Sequence, residues 1–133
     1  MLVKKNKVGL TFGCFDMFHY GHMNLLIRAG LQCDILVVCI SDDEYMLKHK
    51  GKKAILPFKE REKHVSWHKS VFIVDKQTLK FGKKEAIEKY NPDVLFVGDD
   101  HKDDYGGAGL GIPVVYLPHT DKISSTIIRK TMD

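Results

Sequence analysis

The sequence has 133 residues, of which 44% are hydrophobic and 29% charged, with a formal net charge of +4. This length and hydrophobic content predict one domain spanning residues 1–133 and exclude a largely disordered chain. The mild positive charge suits an anionic small molecule and does not indicate nucleic acid without a concentrated basic patch. Three cysteines without a pairing pattern predict a reducing, cytoplasmic location, and the short apolar run near the start predicts neither a signal peptide nor membrane insertion.

Apolar runs and amphipathic stretches alternate along the chain. In chain order we predict a strand at 8–12, a helix at 20–31, a strand at 34–40, a short helix from 43 followed by the lysine-rich loop 48–53, a helix at 57–67, a strand at 70–74, a helix at 78–90 weakened by Gly82, strands at 93–97 and 113–117, and a closing helix at 124–132. This alternation predicts an α/β, Rossmann-like, doubly wound domain with a five-stranded, mostly parallel sheet. Ligands of such sheets bind where the carboxyl ends of the strands meet.

Residues 13–22, GCFDMFHYGH, follow the first predicted strand and open the first helix. His19 and His22 are three residues apart, so at the start of a helix both imidazoles face one side. The helix dipole favours an anion there, and Gly21 removes a side chain where a phosphate approaches the backbone. A surface pair or a metal site is the alternative, but zinc normally needs a third protein ligand, which nothing nearby in the sequence supplies. The decapeptide therefore favours a phosphate-handling turn that carries a nucleoside triphosphate.

The decapeptide resembles the GxFDxxHxGH signature of the cytidylyltransferase family, within the HxGH nucleotidyltransferases. The resemblance covers nearly the whole chain and is greatest to the bacterial glycerol-3-phosphate cytidylyltransferases. The phosphoethanolamine enzymes are also similar. Further matching stretches are ISDDE at 40–44, KGKKA at 50–54, ER at 60–61, VGDD at 97–100, VVYLP at 114–118 and TDKISSTIIRK at 120–130.

The resemblance implies transfer of CMP from CTP to a small phosphorylated alcohol, with glycerol 3-phosphate or a related phosphomonoester as acceptor. The acceptor phosphate would attack the α-phosphorus in line, giving a CDP-alcohol and pyrophosphate without a covalent enzyme intermediate. Mg²⁺ would accompany the triphosphate, no protein side chain would be a metal ligand, and a homodimer is expected.

Residue by residue, the resemblance implies three groups of site residues. The catalytic residues would be His19, His22 and Lys50. The nucleotide would contact Gly13, Cys14, Phe15, Tyr20, Gly21, Lys52, Gly98, Asp99, Asp100, His119, Thr120, Ile123, Ser124, Ser125 and Thr126. The acceptor would contact Asp16, Lys48, Lys69 and Lys83.

Several of these residues also have a purely structural interpretation. The run at 48–53 would ordinarily be a solvated charged loop. The aspartates at 99–104 suggest either a metal cluster or a polar surface loop, and the serines at 124–125 would also cap the closing helix.

Five positions depart from the family pattern. His119 and Lys69 each replace an arginine, Lys122 a glycine, Phe72 an aspartate and His101 a tryptophan. These changes leave the acceptor and the choice of base open. Two rivals therefore remain: an adenylyltransferase that uses ATP with a sugar phosphate or cofactor precursor, and a nucleotide-binding regulatory protein without turnover.

Overall fold

The computed structural model describes residues 6–98 and 110–118. In chain order its elements are β1 (Asn6–Gly13), α1 (Tyr20–Gly30), β2 (Cys33–Ser41), α2 (Asp43–Lys50), α3 (Phe58–Ser66), β3 (Ile73–Gln77), α4 (Lys83–Tyr90), β4 (Val94–Gly98) and β5 (Val114–Leu117). The predicted closing helix at 124–132 lies outside the described residues.

The strands form one five-stranded sheet in the order β3-β2-β1-β4-β5, and every neighbouring pair is parallel. The predicted Rossmann-like, doubly wound sheet is therefore confirmed. The strand order reverses between β1 and β4, so the crevice for a ligand lies at the carboxyl ends of these two strands. Gly13, at the end of β1, and Gly98, at the end of β4, both lie at this crevice.

Helices cover both faces of the sheet, which explains the almost unbroken apolar sequence of β2. Leu36, Val38 and Ile40 point toward a core shared with α1 and α3. Val37 and Cys39 alternate with them and pack in a second core against α4. The doubly covered sheet places α1 on one side of the crevice and α4 on the other.

The prediction for residues 70–90 was wrong in its boundaries. The third strand begins at Ile73 rather than residue 70, and the following helix begins at Lys83 rather than residue 78. Thr78 closes a turn instead: its Oγ1 accepts from the Phe81 N–H at 2.9 Å, and its N–H donates to the Phe81 carbonyl at 3.0 Å. Such local bonds compete with helix formation, so α4 starts only after Gly82.

The lysine-rich run was also partly misplaced. Lys48 and Lys50 lie in the last turn of α2, and the helix ends at Gly51, whose φ of +73° is the left-handed conformation that glycine adopts readily. Asp42 caps the other end by accepting the Tyr45 N–H at 2.7 Å. The positive charges of Lys48 and Lys50 therefore also complement the negative end of the helix dipole. Among the helices of the described residues, none is both long and apolar enough to span a membrane.

Candidate active site

The turn after β1 is held in a strained backbone conformation. Phe15 and Met17 have φ angles of +54° and +50°, which are uncommon for residues with side chains. The Phe15 ring is buried, and a Cβ on Gly13 would lie 2.8 Å from its Cε2 atom. Gly13 is therefore needed for the close packing of Phe15 against the end of β1.

His19 and His22 form a stacked pair at the start of α1. Their ring centroids are 3.8 Å apart and their planes differ by 18°. His19 is the N-cap residue: its Nδ1 accepts the Gly21 N–H at 3.0 Å, and its own N–H donates to Nδ1 of His22 at 3.3 Å. The amide of Gly21, at the helix end expected to face an anion, is thus already bonded to His19.

These bonds determine which imidazole nitrogen carries the proton. Because Nδ1 is the acceptor in both rings, each neutral imidazole carries its hydrogen on Nε2. Burial lowers the pKa of His19, and burial together with the charge of His19 lowers the pKa of His22 to about 3, against an opposing effect of Asp16. At neutral pH the pair therefore presents two neutral Nε2–H donors, which suit phosphate oxygens.

Arg61 and Asp16 tie this turn to neighbouring loops. The fully buried guanidinium of Arg61 donates to the carbonyls of Cys14 at 2.9 Å and Ser41 at 2.6 Å, and it pairs with Asp43 at 2.8 Å. Its Nε donates to the Leu56 carbonyl at 3.0 Å. One side chain therefore joins the loops that follow β1 and β2 to the start of α3.

Asp16 makes a second connection. Its two carboxylate oxygens accept the N–H groups of Ile55 and Leu56 at 2.8 and 3.0 Å. These bonds fasten the loop before α3 to the turn after β1, the motif turn. The acceptor-binding role that the resemblance implies for Asp16 stays a prediction. Arg61 is not among the site residues predicted from the sequence, although the ER pair at 60–61 is one of the family-like stretches.

Lys50 and Lys83 approach each other from α2 and α4. The pKa of Lys83 is lowered by burial and by the positive charge of Lys50. Lys83 Nζ lies 5.5 Å from the ring centroid of Phe12, near the end of β1. The positive charges of these two lysines would favour an anion bound near them. Lys48 and Lys52 are exposed on and after the same helix end.

The remaining predicted residues are dispersed. Lys69 lies beside the start of β2, where it lines a cleft with Leu31 and Asp34, whereas the histidine pair follows the end of β1. Tyr20 is 60% exposed. Burial raises the pKa of the Cys14 thiol, so that thiol stays protonated and is a poor nucleophile. The predicted residues outside the described ranges are Asp99, Asp100, His119, Thr120, Ile123, Ser124, Ser125 and Thr126, together with the departures His101 and Lys122.

Known proteins are similar to this chain in both sequence and fold. Residues 10–131 match the family model described as cytidylyltransferase-like. The chain is similar to glycerol-3-phosphate cytidylyltransferase of Bacillus spizizenii, with 36% identity over 92% of this chain and 95% of that protein. It is similar to the Staphylococcus aureus enzyme of the same name, with 32% identity over 92% of each. The crystal structure of the lipopolysaccharide core biosynthesis protein from Thermoplasma volcanium GSS1 has the same fold, with a TM-score of 0.71 at 23% identity, covering 86% of this chain and 97% of that one.

Proposed function

This chain belongs to the cytidylyltransferase-like family, and we propose that it transfers CMP from CTP to glycerol 3-phosphate with release of pyrophosphate. The observation that carries the proposal is the stacked His19–His22 pair, which presents two neutral Nε2–H donors at the crevice. The names of the relatives support the nucleotide and the acceptor.

The reaction needs charge neutralisation more than it needs a nucleophile on the protein. An oxygen of the acceptor phosphate attacks the α-phosphorus of CTP, a new P–O bond forms, and the bond to pyrophosphate breaks. Negative charge builds on the non-bridging oxygens as this happens, and positioned donors and cations stabilise it. In this proposal His19 and His22 donate to the triphosphate, while Lys50 and Lys83 attract the phosphates of nucleotide and acceptor.

The triphosphate is proposed to enter as its Mg²⁺ complex. Within residues 6–98 and 110–118, no three His, Cys, Asp or Glu side chains form a group suited to a metal ion. Phosphate oxygens are themselves good Mg²⁺ ligands, so the ion would bind as part of the substrate. Turnover is expected to stop with excess EDTA and to return when Mg²⁺ is restored.

An acceptor panel tests the proposed reaction. Purified protein is offered CTP or ATP with glycerol 3-phosphate and other phosphomonoesters, and pyrophosphate release is measured. We expect release with CTP and glycerol 3-phosphate, and a loss of about 100-fold in kcat for His19→Gln and His22→Gln. His49→Ala, on the exposed end of α2, is the matched histidine control.

Three outcomes would contradict the proposal. Release with ATP alone would make the protein an adenylyltransferase. Nucleotide binding without release from any acceptor would favour a regulatory protein. Normal turnover by both histidine variants would refute the role of the pair, whatever the acceptor.

A homodimer belongs to the same proposal, through the cleft of about 450 Å³ at the start of β2. Leu31 and Phe72, which line it, are 62% and 68% exposed. The cleft also carries Lys69 and Asp34, which suit each other across a two-fold axis. Leu31→Lys, in the same cleft, is expected to give a monomer in sedimentation velocity, whereas Lys80→Asp on the exposed loop before α4 is expected to leave the dimer intact. All three cysteines are thiols, which suits the proposed cytoplasmic location.

A further inference from the structure

The ring of Phe18 connects the histidine pair with the loop that follows α3. It stacks on His22 with a centroid distance of 5.8 Å and an interplanar angle of 19°. On His68 it makes an edge contact, with the centroids 6.1 Å apart and the planes at 76°. Phe15 contacts His22 from a further direction, edge-on at 5.4 Å. His22 is therefore oriented by surrounding rings as well as by its bond to the His19 amide.

His68 is itself held in place by its own segment of chain. Its N–H donates to the Val65 carbonyl at 3.1 Å, and its carbonyl accepts the Val71 N–H at 3.0 Å. Its Nδ1 accepts the Ser70 N–H at 3.1 Å. Burial and the neighbouring charge of Lys69 lower its pKa, so the ring is neutral at physiological pH and packs well on a phenylalanine. The imidazole of His68 is thus a fixed surface against which Phe18 rests.

Phe18 needs such a surface because of where it lies. It follows Met17, whose φ is +50°, and its ring is only partly buried against the core shared with α1 and α3. A shift of this ring would change the packing of His22, whose Nδ1 must point at the His19 amide for Nε2 to carry the proton. We propose that His68 is a positioning residue for the histidine pair and that it acts through Phe18 on His22.

The test combines kinetics with the state of the His22 ring. His68→Ala is expected to lower the single-turnover rate of transfer about three- to ten-fold, the range that loss of one aromatic contact corresponds to, with little change in KM for the nucleotide. The ¹⁵N shifts of His22 in the free protein are expected to move from the pure Nε2–H tautomer toward a mixture. His68→Phe restores the ring but not the bond to Ser70, and it is expected to recover the rate to within about two-fold of wild type.

Two comparisons separate this role from a general loss of structure. His64→Ala removes another histidine, on α3, and is expected to leave both the rate and the His22 shifts unchanged. In a Phe18→Leu background, the His68→Ala change is expected to have little further effect, because the two residues act in series.

The proposal is overturned if His68→Ala leaves the His22 shifts and the rate at wild-type values. The proposal is equally overturned if His68→Ala lowers the single-turnover rate as much in the Phe18→Leu background as it does in the wild-type protein. The kinetic arm rests on the proposed function, but the ¹⁵N measurement does not. If the protein transferred CMP to no acceptor, the proposed function would be refuted. The ¹⁵N shifts of His22 would still decide whether His68 positions the histidine pair.

Discussion

Replacement of Arg61 by methionine tests whether one buried cation holds the loops of the candidate site together. Methionine keeps much of the length and apolar stem of arginine but removes every donor. The carbonyls of Cys14, Ser41 and Leu56 then lose a partner, and Asp43 loses its counter-charge. We expect a large loss of stability and a displaced motif turn.

The structure sets the size of the expected loss. Breaking a buried ion pair by removing one partner costs about 3–5 kcal/mol when the other charge stays buried. The Asp43 side chain is 46% exposed, whereas Arg61 is fully buried. Water therefore solvates the remaining carboxylate, and the unpaired Asp43 contributes less to the loss of stability than a buried charge would. Each buried carbonyl that is left without a hydrogen-bond donor lowers the free energy of unfolding by about 1–3 kcal/mol, unless the backbone relaxes toward water. Together these effects give a loss of about 4 kcal/mol, most of it from the carbonyls.

Urea unfolding measures this loss directly. With an m-value of about 2 kcal/mol/M, the midpoint should fall by about 2 M. Lys63→Met is the matched control, because Lys63 lies on the same helix with a 58% exposed side chain, and its midpoint should stay within about 0.25 M of wild type. Turnover of folded Arg61→Met should fall about 100-fold because the motif turn is displaced. A midpoint shift below about 0.5 M would refute the idea that Arg61 holds these loops.

Three further predictions concern other parts of the fold. The pKa of His22 is about 3 in the folded protein and about 6.5 when exposed, so unfolding takes up a proton between these pH values. The free energy of unfolding should be fully present above pH 6.5 and fall by up to about 1.4 kcal/mol per pH unit below it, with a shallower fall in His22→Gln, measured by urea unfolding at a series of pH values. Equal slopes for the two proteins would contradict this. Gly13→Ala forces a Cβ to 2.8 Å from the Phe15 ring and should cost about 2 kcal/mol in the same assay; an unchanged midpoint would show that the ring moves freely. Tyr90→Phe removes the hydroxyl that donates to the Asp75 carboxylate and should cost about 1 kcal/mol in thermal unfolding without lowering turnover, whereas a loss of turnover would place this contact in the site.

The fold was predictable because its signals are local and repeated. Each buried strand is an apolar run, and the alternation with helices leaves few arrangements for a parallel sheet. The predicted boundaries that were wrong lie between residues 70 and 83. They depend on side chains that hydrogen-bond to nearby backbone groups, as Thr78 does with the Phe81 amide. A helical pattern of apolar residues does not show such a bond, so the predicted helix began five residues too early, at residue 78 instead of Lys83.

The histidine pair was predictable for a similar reason, since three residues of spacing at a helix start are enough to bring two rings together. Its protonation was not predictable, because that depends on how deeply the rings are buried and on which amides reach Nδ1. Lys50 and Lys83 illustrate the same limit. They lie on different helices, and their mutual repulsion depends on where the folded chain places α2 and α4.

Arg61 shows most clearly what a single sequence leaves hidden. Arginine is rarely fully buried, so an arginine in a charged helix such as FKEREKHVS is normally assigned to the surface. Its carbonyl partners lie 5, 20 and 47 residues away along the chain. Backbone carbonyls carry no residue identity, so no pattern of letters marks them as acceptors for a distant guanidinium. The donors expected to meet the substrate can therefore be read from GCFDMFHYGH, whereas the residue that joins the surrounding loops is recognised only when the folded chain brings those carbonyls to one point.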